Sequence, residues 1–179
     1  MSRVSPVSLH EADEDVKEIY SQLEKKMGKV LNIFSHMGNS PATLKGFLAL
    51  SDAANQTSLP PPLREQIALV VGQLNHCNYC LSAHTELAKH AGLENQEILL
   101  SRKGDSSDPK TKAILKFVRE VVENKGRVSN QEVATLKTAG VNDQEIVEII
   151  LLISLNLFTN YFNLVIDPEI DFPRAPELT

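Results

Sequence analysis

Residues 62–84 read Pro62-Leu63-Arg64-Glu65-Gln66-Ile67-Ala68-Leu69-Val70-Val71-Gly72-Gln73-Leu74-Asn75-His76-Cys77-Asn78-Tyr79-Cys80-Leu81-Ser82-Ala83-His84. The first half is apolar around most of a helical circumference, so it belongs inside a bundle rather than on its surface. The pair Asn75-His76 offers a break, and a second helix follows it. Cys77, Cys80 and His84 stand at i, i+3 and i+7 of that second helix, along one stripe. The break places both cysteines in its first turns, where unpaired N–H groups and the positive end of the dipole favour a thiolate. Glu65 lies ten residues before Asn75 and His84 eight after His76. At a helical rise of about 1.5 Å per residue, each sits roughly 12 to 15 Å from the turn. Two antiparallel helices then bring carboxylate and imidazole to one level. Glu65 shares a stripe with Leu69 and Gly72, which predicts a partly buried carboxylate held by a partner.

Helix punctuation recurs along the chain while strand signals are nearly absent. Ser40-Pro41 and Asp108-Pro109 each pair an N-cap with proline at the first helical position. Ser8 with Glu11, and Ser129 with Glu132, are spaced as capping boxes, and Gly28, Gly92, Gly126 and Gly140 fall where helices stop. The punctuation predicts helices near residues 11–27, 30–37, 41–55, 62–75, 77–91, 94–100, 109–125, 129–139 and 142–165, the second and sixth being short. Residues 89–98 (KHAGLENQEI) are echoed by 137–146 (KTAGVNDQEI), 48 positions later. A helix-turn-helix unit therefore looks duplicated, with Lys125 and Val128 in place of Cys77 and Cys80 in the second copy. The expected organisation is one all-α domain, a helical bundle over residues 1–179. It comprises an N-terminal helical extension (about 1–40), a CxxC core (about 41–125), a second repeat with an oligomerisation helix (about 126–166) and a C-terminal tail (167–179).

The chain has 179 residues, 42% of them apolar, enough for a hydrophobic core without disulfide support. A net charge of −5 with scattered Lys and Arg leaves no footprint for nucleic acid. Residues 1–16 lack the features of a signal peptide, so a reducing cytoplasm is expected. There, two cysteines three positions apart suit catalysis, redox sensing or metal binding rather than a structural bridge. The stretch 146–166 is long enough to span a bilayer but carries Glu148, Asn156, Asn160 and Asn163. It reads as a core helix packed inside the subunit on one face and against a neighbouring subunit on another, with no membrane contact.

These parts suggest a mechanism. His84, held by Glu65, takes the proton of Cys80; the thiolate attacks a hydroperoxide O–O bond; Cys77 resolves the sulfenic acid; and an external dithiol regenerates the pair. Cys77, nearer the helix start, is the sulfur that such a donor would reach. A Cys-x-x-Cys alone also serves zinc, although Cys77, Cys80 and His84 supply three ligands and a fourth would have to come from His76 or Glu65. Leu81 stands where haem attachment needs histidine. His10, His36, His76 and His90 read as structural or surface residues, and no Gly-rich phosphate loop occurs, so no metal, flavin or nucleotide cofactor is expected.

The pattern Glu65, eleven residues, Cys77-x-x-Cys80, three residues, His84 resembles the alkylhydroperoxidase D (AhpD) group of the carboxymuconolactone decarboxylase superfamily. Asn160-Tyr161-Phe162-Asn163 and Asp167-Pro168-Glu169-Ile170-Asp171-Phe172-Pro173 resemble its peroxidase-related branch. The resemblance implies an AhpD-like all-helical fold, homo-oligomers such as trimers or hexamers, and thiol peroxidase (peroxiredoxin) activity. It assigns Glu65, Cys77, Cys80 and His84 to the family's relay, with a lipoyl- or thioredoxin-type protein as reductant. The best-known members carry histidine where this chain has Tyr79, and a phenol is no base near neutral pH. That departure points to weaker activity or a different substrate. The alternatives are a thiol-disulfide relay to a protein partner, a metal-binding or scaffold module, and a lactone decarboxylase, the last being disfavoured by the cysteine pair. Light scattering at micromolar concentration is expected to return a multiple of the 19.8 kDa chain mass; a monomer mass would contradict the oligomer.

Overall fold

A computed structural model of the chain describes residues 2–178, and among these every regular element is a helix. In chain order they are α1 (Glu14–Met27), α2 (Asn32–Met37), α3 (Pro41–Asn55), α4 (Pro61–Leu74), α5 (Asn78–His90), α6 (Asn95–Arg102), α7 (Pro109–Glu123), α8 (Asn130–Thr138) and α9 (Asp143–Ile166). The centre is α4, which packs on α5, α6, α7 and α9. Its run Gln66 to Gly72 is wholly buried, as an all-round apolar helix must be. One core joins α4 to α7 and α9 through Ile67, Val70, Ile114, Leu115 and Ile149. A second joins α1 and α2 to the two cysteines through Val16, Tyr20 and Met37. The cysteine pair therefore packs against the N-terminal helices.

Local chemistry explains most boundaries. Ser40 and Asp108 cap α3 and α7 ahead of proline, each accepting from the N–H three residues on. Reciprocal capping boxes open α8 (Ser129, Glu132) and α9 (Asn142, Glu145). One expectation is corrected at α1: Ser8 and Glu11 do bond to each other, but they close only a turn. Helix α1 starts later at Asp13, whose carboxylate accepts from Val16 N–H. The expected replacement of Cys77 by Lys125 also shifts by one residue. His76 and Lys125 both adopt left-handed backbone (φ 54° and 55°), and the next N–H of each reaches back to Gly72 or Val121. Gly126, rather than Lys125, therefore answers Cys77.

Helix α9 is long and apolar enough to cross a bilayer by length and composition, but it packs against α3, α4, α5 and α7. Its inward stripe is Ile149, Leu152, Ile153, Asn156, Thr159, Asn160 and Asn163. Val147, Ile150, Tyr161, Leu164 and Val165 remain exposed on the other side. At its end, Asp167 takes a left-handed conformation and the chain turns back as an extended tail. That tail is pinned by Ala175 N–H on the Ser82 hydroxyl and by the Arg102 guanidinium on the Pro176 carbonyl.

Gly38 follows α2, and a Cβ there would lie 2.0 Å from the Tyr20 hydroxyl. Tyr20 is buried, with its hydroxyl among the carbonyls of Val7, Phe34 and Ser35, so it has nowhere to swing. Gly38→Ala is expected to cost about 1–3 kcal/mol by overpacking. Gly46, mid-helix in α3 with nothing near its absent Cβ, should gain roughly 0.5–1 kcal/mol as alanine. Urea midpoints of the two variants, moving in opposite directions, check both statements.

Candidate active site

The α4–α5 turn assembles the site. Asn75 caps α4, and its side chain donates to the Val71 carbonyl and to Asn160 Oδ1 at 2.9 and 3.1 Å. His76 is exposed and takes the left-handed conformation, which reverses the chain within one residue. Cys77 then becomes the N-cap of α5 with extended backbone, and its Sγ accepts the Cys80 N–H at 3.2 Å. Sulfur thus takes the place usually held by a serine or aspartate oxygen. Cys77 and Cys80, with Cα atoms 5.3 Å apart, are joined as a disulfide and are almost fully buried. The amide of Asn163 on α9 reaches the second sulfur, its Nδ2 donating to Cys80 Sγ at 3.4 Å. Each sulfur therefore has its own N–H donor, and both donors favour a thiolate once the bond is reduced.

The two helices run antiparallel, and the α4 stripe meets α5 along its length. Gly72 faces Cys80 and Leu81, and Glu65 Oε2 lies 2.7 Å from His84 Nδ1. About a fifth of each of those side chains is exposed. A carboxylate only accepts, so Nδ1 carries a proton and Nε2 is the ring nitrogen not engaged by Glu65. His84 is thus joined to Glu65, whereas the hydrogen-bond partner of Cys80 Sγ is Asn163. All four residues singled out in the sequence lie on one helical hairpin, the disulfide at its turn and the imidazole–carboxylate pair farther along.

A cleft of about 1020 Å³ opens on the other side of the disulfide. Cys77 lines it, with His36, Tyr79, Asn163, Ile170 and Phe172, and neither Cys80 nor the Glu65–His84 pair takes part in its wall. Tyr79 is buried, not an exposed helix tyrosine, and its hydroxyl donates to Asp171 Oδ2 at 2.6 Å while accepting from Ile33 N–H at 3.4 Å. Burial first, then the Asp171 carboxylate, pushes the Tyr79 phenol far above its ordinary pKa. Asp171 also receives Asn32 N–H at 2.8 Å and Lys29 Nζ at 3.3 Å. Tyr79 therefore anchors the tail that walls the cleft.

His36, Asn163 and Asp171 have no counterpart among the expected site residues. His36 is not at the surface: it is 5% exposed and lines the cleft. Asn163 had a signal, an amide in an otherwise apolar helix, but its partner lies 83 residues away. Among the described residues no three His, Cys, Asp or Glu side chains gather as metal ligands would.

Residues 41–123 match the model of the carboxymuconolactone decarboxylase family. No curated protein matches the chain. Several solved structures share its fold. An uncharacterized peroxidase-related protein from Ralstonia eutropha JMP134, described as an alkylhydroperoxidase AhpD core, superposes with a TM-score of 0.86 at 20% identity, over 95% of this chain and 92% of that one. A peroxidase-related protein from Silicibacter sp. TM1040 gives 0.82 at 20% identity, over 96% and 97%. The debrominase Bmp8 in complex with 2,3,4-tribromopyrrole gives 0.80 at 19% identity, over 96% and 92%.

Tyr79→Phe removes one of the donors to Asp171, leaving Asn32 N–H and Lys29, and should cost about 0.5–1.5 kcal/mol. Because the Tyr79 phenol stays protonated well above the ordinary tyrosine range, the variant should keep the full tyrosinate absorbance step near about pH 10. Denaturation and absorbance titration of both proteins check the pair of statements. The match to the carboxymuconolactone decarboxylase family thus covers residues 41–123, and the chain as a whole shares its fold with the solved AhpD core and peroxidase-related structures.

Proposed function

We propose that the protein is a thiol peroxidase of the alkyl hydroperoxide reductase type, cycling between a Cys77/Cys80 dithiol and its disulfide. The observation that carries this reading is the hairpin itself: a disulfide across the first turn of α5, with an imidazole–carboxylate pair one turn on. In the reduced protein His84 Nε2 takes the Cys80 proton, and the thiolate attacks the terminal peroxide oxygen. The O–O bond breaks, the alkoxide leaves with a proton returned by His84, and Cys80 becomes a sulfenic acid. Cys77 displaces hydroxide from that sulfur and restores the disulfide; two electrons from an external lipoyl- or thioredoxin-type dithiol then reopen it. No metal or organic cofactor takes part in these steps. The exposed apolar residues of α9, Val147, Ile150, Tyr161, Leu164 and Val165, suit the face of a homo-oligomer.

A thiol-disulfide relay to a protein partner is the rival that shares the same geometry. Hydroperoxide consumption coupled to dithiothreitol or a lipoyl donor separates them: the peroxidase reading expects steady turnover, and rapid reduction of a protein disulfide with negligible peroxide loss would replace it. Thiol titration should count two thiols in the reduced chain and none after one equivalent of hydroperoxide. In Cys77→Ser the sulfenic acid should be trapped on Cys80; trapping on Cys77 in the opposite variant would exchange the roles. His84→Asn is expected to lower turnover about 10²-fold. Bromide release from a brominated pyrrole, with little hydroperoxide consumed, would instead favour the chemistry named for the Bmp8 relative.

A further inference from the structure

Two buried residues lining the cleft beside Cys77 each carry an acceptor without a partner. His36 Nδ1 lies 2.6 Å from the Asn32 carbonyl oxygen; a carbonyl only accepts, so Nδ1 carries the ring proton and Nε2 holds the lone pair of the neutral ring. Asn163 turns its Nδ2 toward Cys80 Sγ, an acceptor, and so presents Oδ1 elsewhere. Both residues are 5% exposed and both line the cleft, yet neither Nε2 nor Oδ1 has a hydrogen-bond partner. Each unpaired acceptor costs about 1–3 kcal/mol, so the complementary ligand brings a proton donor. Cys77 is the sulfur in that wall, and Ile170 and Phe172 supply apolar surface for an aliphatic chain. His84 cannot serve a ligand there, because neither it nor Glu65 belongs to the wall.

We propose that this cleft is where an external aliphatic dithiol reduces the disulfide, with His36 as the base that activates the donor and Asn163 as the positioning residue for the departing sulfur. The proposal rests on the dithiol–disulfide cycle described above. The donor S–H gives its proton to His36 Nε2, and the thiolate attacks Cys77 Sγ. A donor–Cys77 bond forms as the Cys77–Cys80 bond breaks, and the electron pair leaves on Cys80, where the Asn163 N–H receives it. The donor's second thiol, deprotonated in turn, attacks the donor sulfur of the mixed disulfide. The donor departs as a cyclic disulfide, two electrons having passed to the protein and two protons to its sulfurs through His36 and solvent.

The other charged or titratable groups around the cleft are Arg3, His76, Tyr79, Asp167, Glu169 and Arg174. Asp171 is engaged by Tyr79, and Tyr20 stands behind α2 with its hydroxyl on the Ser35 carbonyl. These groups are common to wild type and variant, so a difference profile isolates His36. The experiment starts from the oxidised full-length protein, without peroxide, and counts free thiols against time after adding dihydrolipoamide. His36→Asn preserves a donor toward the Asn32 carbonyl and removes Nε2. It should slow reduction about 10²-fold near about pH 7, where the donor is a thiol, and match wild type near about pH 10, where the donor is already a thiolate. Wild-type rates near neutrality, or one factor of loss at both pH values, overturn the role of His36. Asn163→Leu gives a second reading independent of how His36→Asn folds. In the Cys77→Ser background it should raise the Cys80 thiol pKa, read from the pH dependence of alkylation, and alone it should slow donor reduction about tenfold at every pH. Unchanged pKa and rate overturn the role of Asn163. Failure of hydroperoxide turnover alongside intact, His36-dependent reduction would sink the peroxidase reading alone.

Discussion

The reversal of the chain at Asn75-His76 is the constraint on which the rest depends. One residue in left-handed backbone separates a helix buried on all sides from one that starts with a sulfur cap. Because α4 is held by α6, α7 and α9 as well as by α5, the turn has a fixed platform. The direction of α5 is then set, and with it the register of Gly72 against Cys80 and of Glu65 against His84. A slip of one residue at the turn would rotate α5 by about 100° and separate both pairs.

Where the site was legible in the sequence, the reason is that helices are rigid rulers. Counting outward from a break at a known rise places Glu65 and His84 at one level, and their 2.7 Å contact follows the count. Caps made most helix ends legible for the same local reason, and the error at α1 is instructive. Ser8 and Glu11 form the reciprocal bonds of a capping box, but Asp13 caps a helix of its own two residues later. A cap satisfies donors without obliging a helix to follow. Asn163 and Asp171 escaped because their partners are distant along the chain: Cys80 is 83 residues before Asn163, and Tyr79 is 92 before Asp171; His36 bonds locally to Asn32, but the cleft it lines is built from segments far from it in the chain. No periodicity encodes such meetings.

Polar groups in the interior follow one pattern. Gln66 donates to Glu97, Arg102 to Gln73 and to the tail, and Asn75 to Asn160. Each pair ties α4 or its turn to a neighbouring element, where an apolar contact of the same size would fix no orientation. Four buried side-chain atoms among the described residues depart from that pattern, on His36, Thr85, Asn160 and Asn163, and two of these residues, His36 and Asn163, line the same cleft.

The division between hairpin and cleft has a consequence for how such a protein diversifies. Glu65, Cys77, Cys80 and His84 fall within twenty consecutive positions, so the reactive core forms from local contacts of low sequence separation. The opposite wall is contributed by the segments before α1, by α2 and by the residues after α9, which meet only when distant parts of the chain come together. Substitutions in those outlying pieces can reshape what is admitted while leaving the sulfur chemistry intact. The disulfide hairpin and the outer wall of the cleft are thus encoded on separate stretches of the chain.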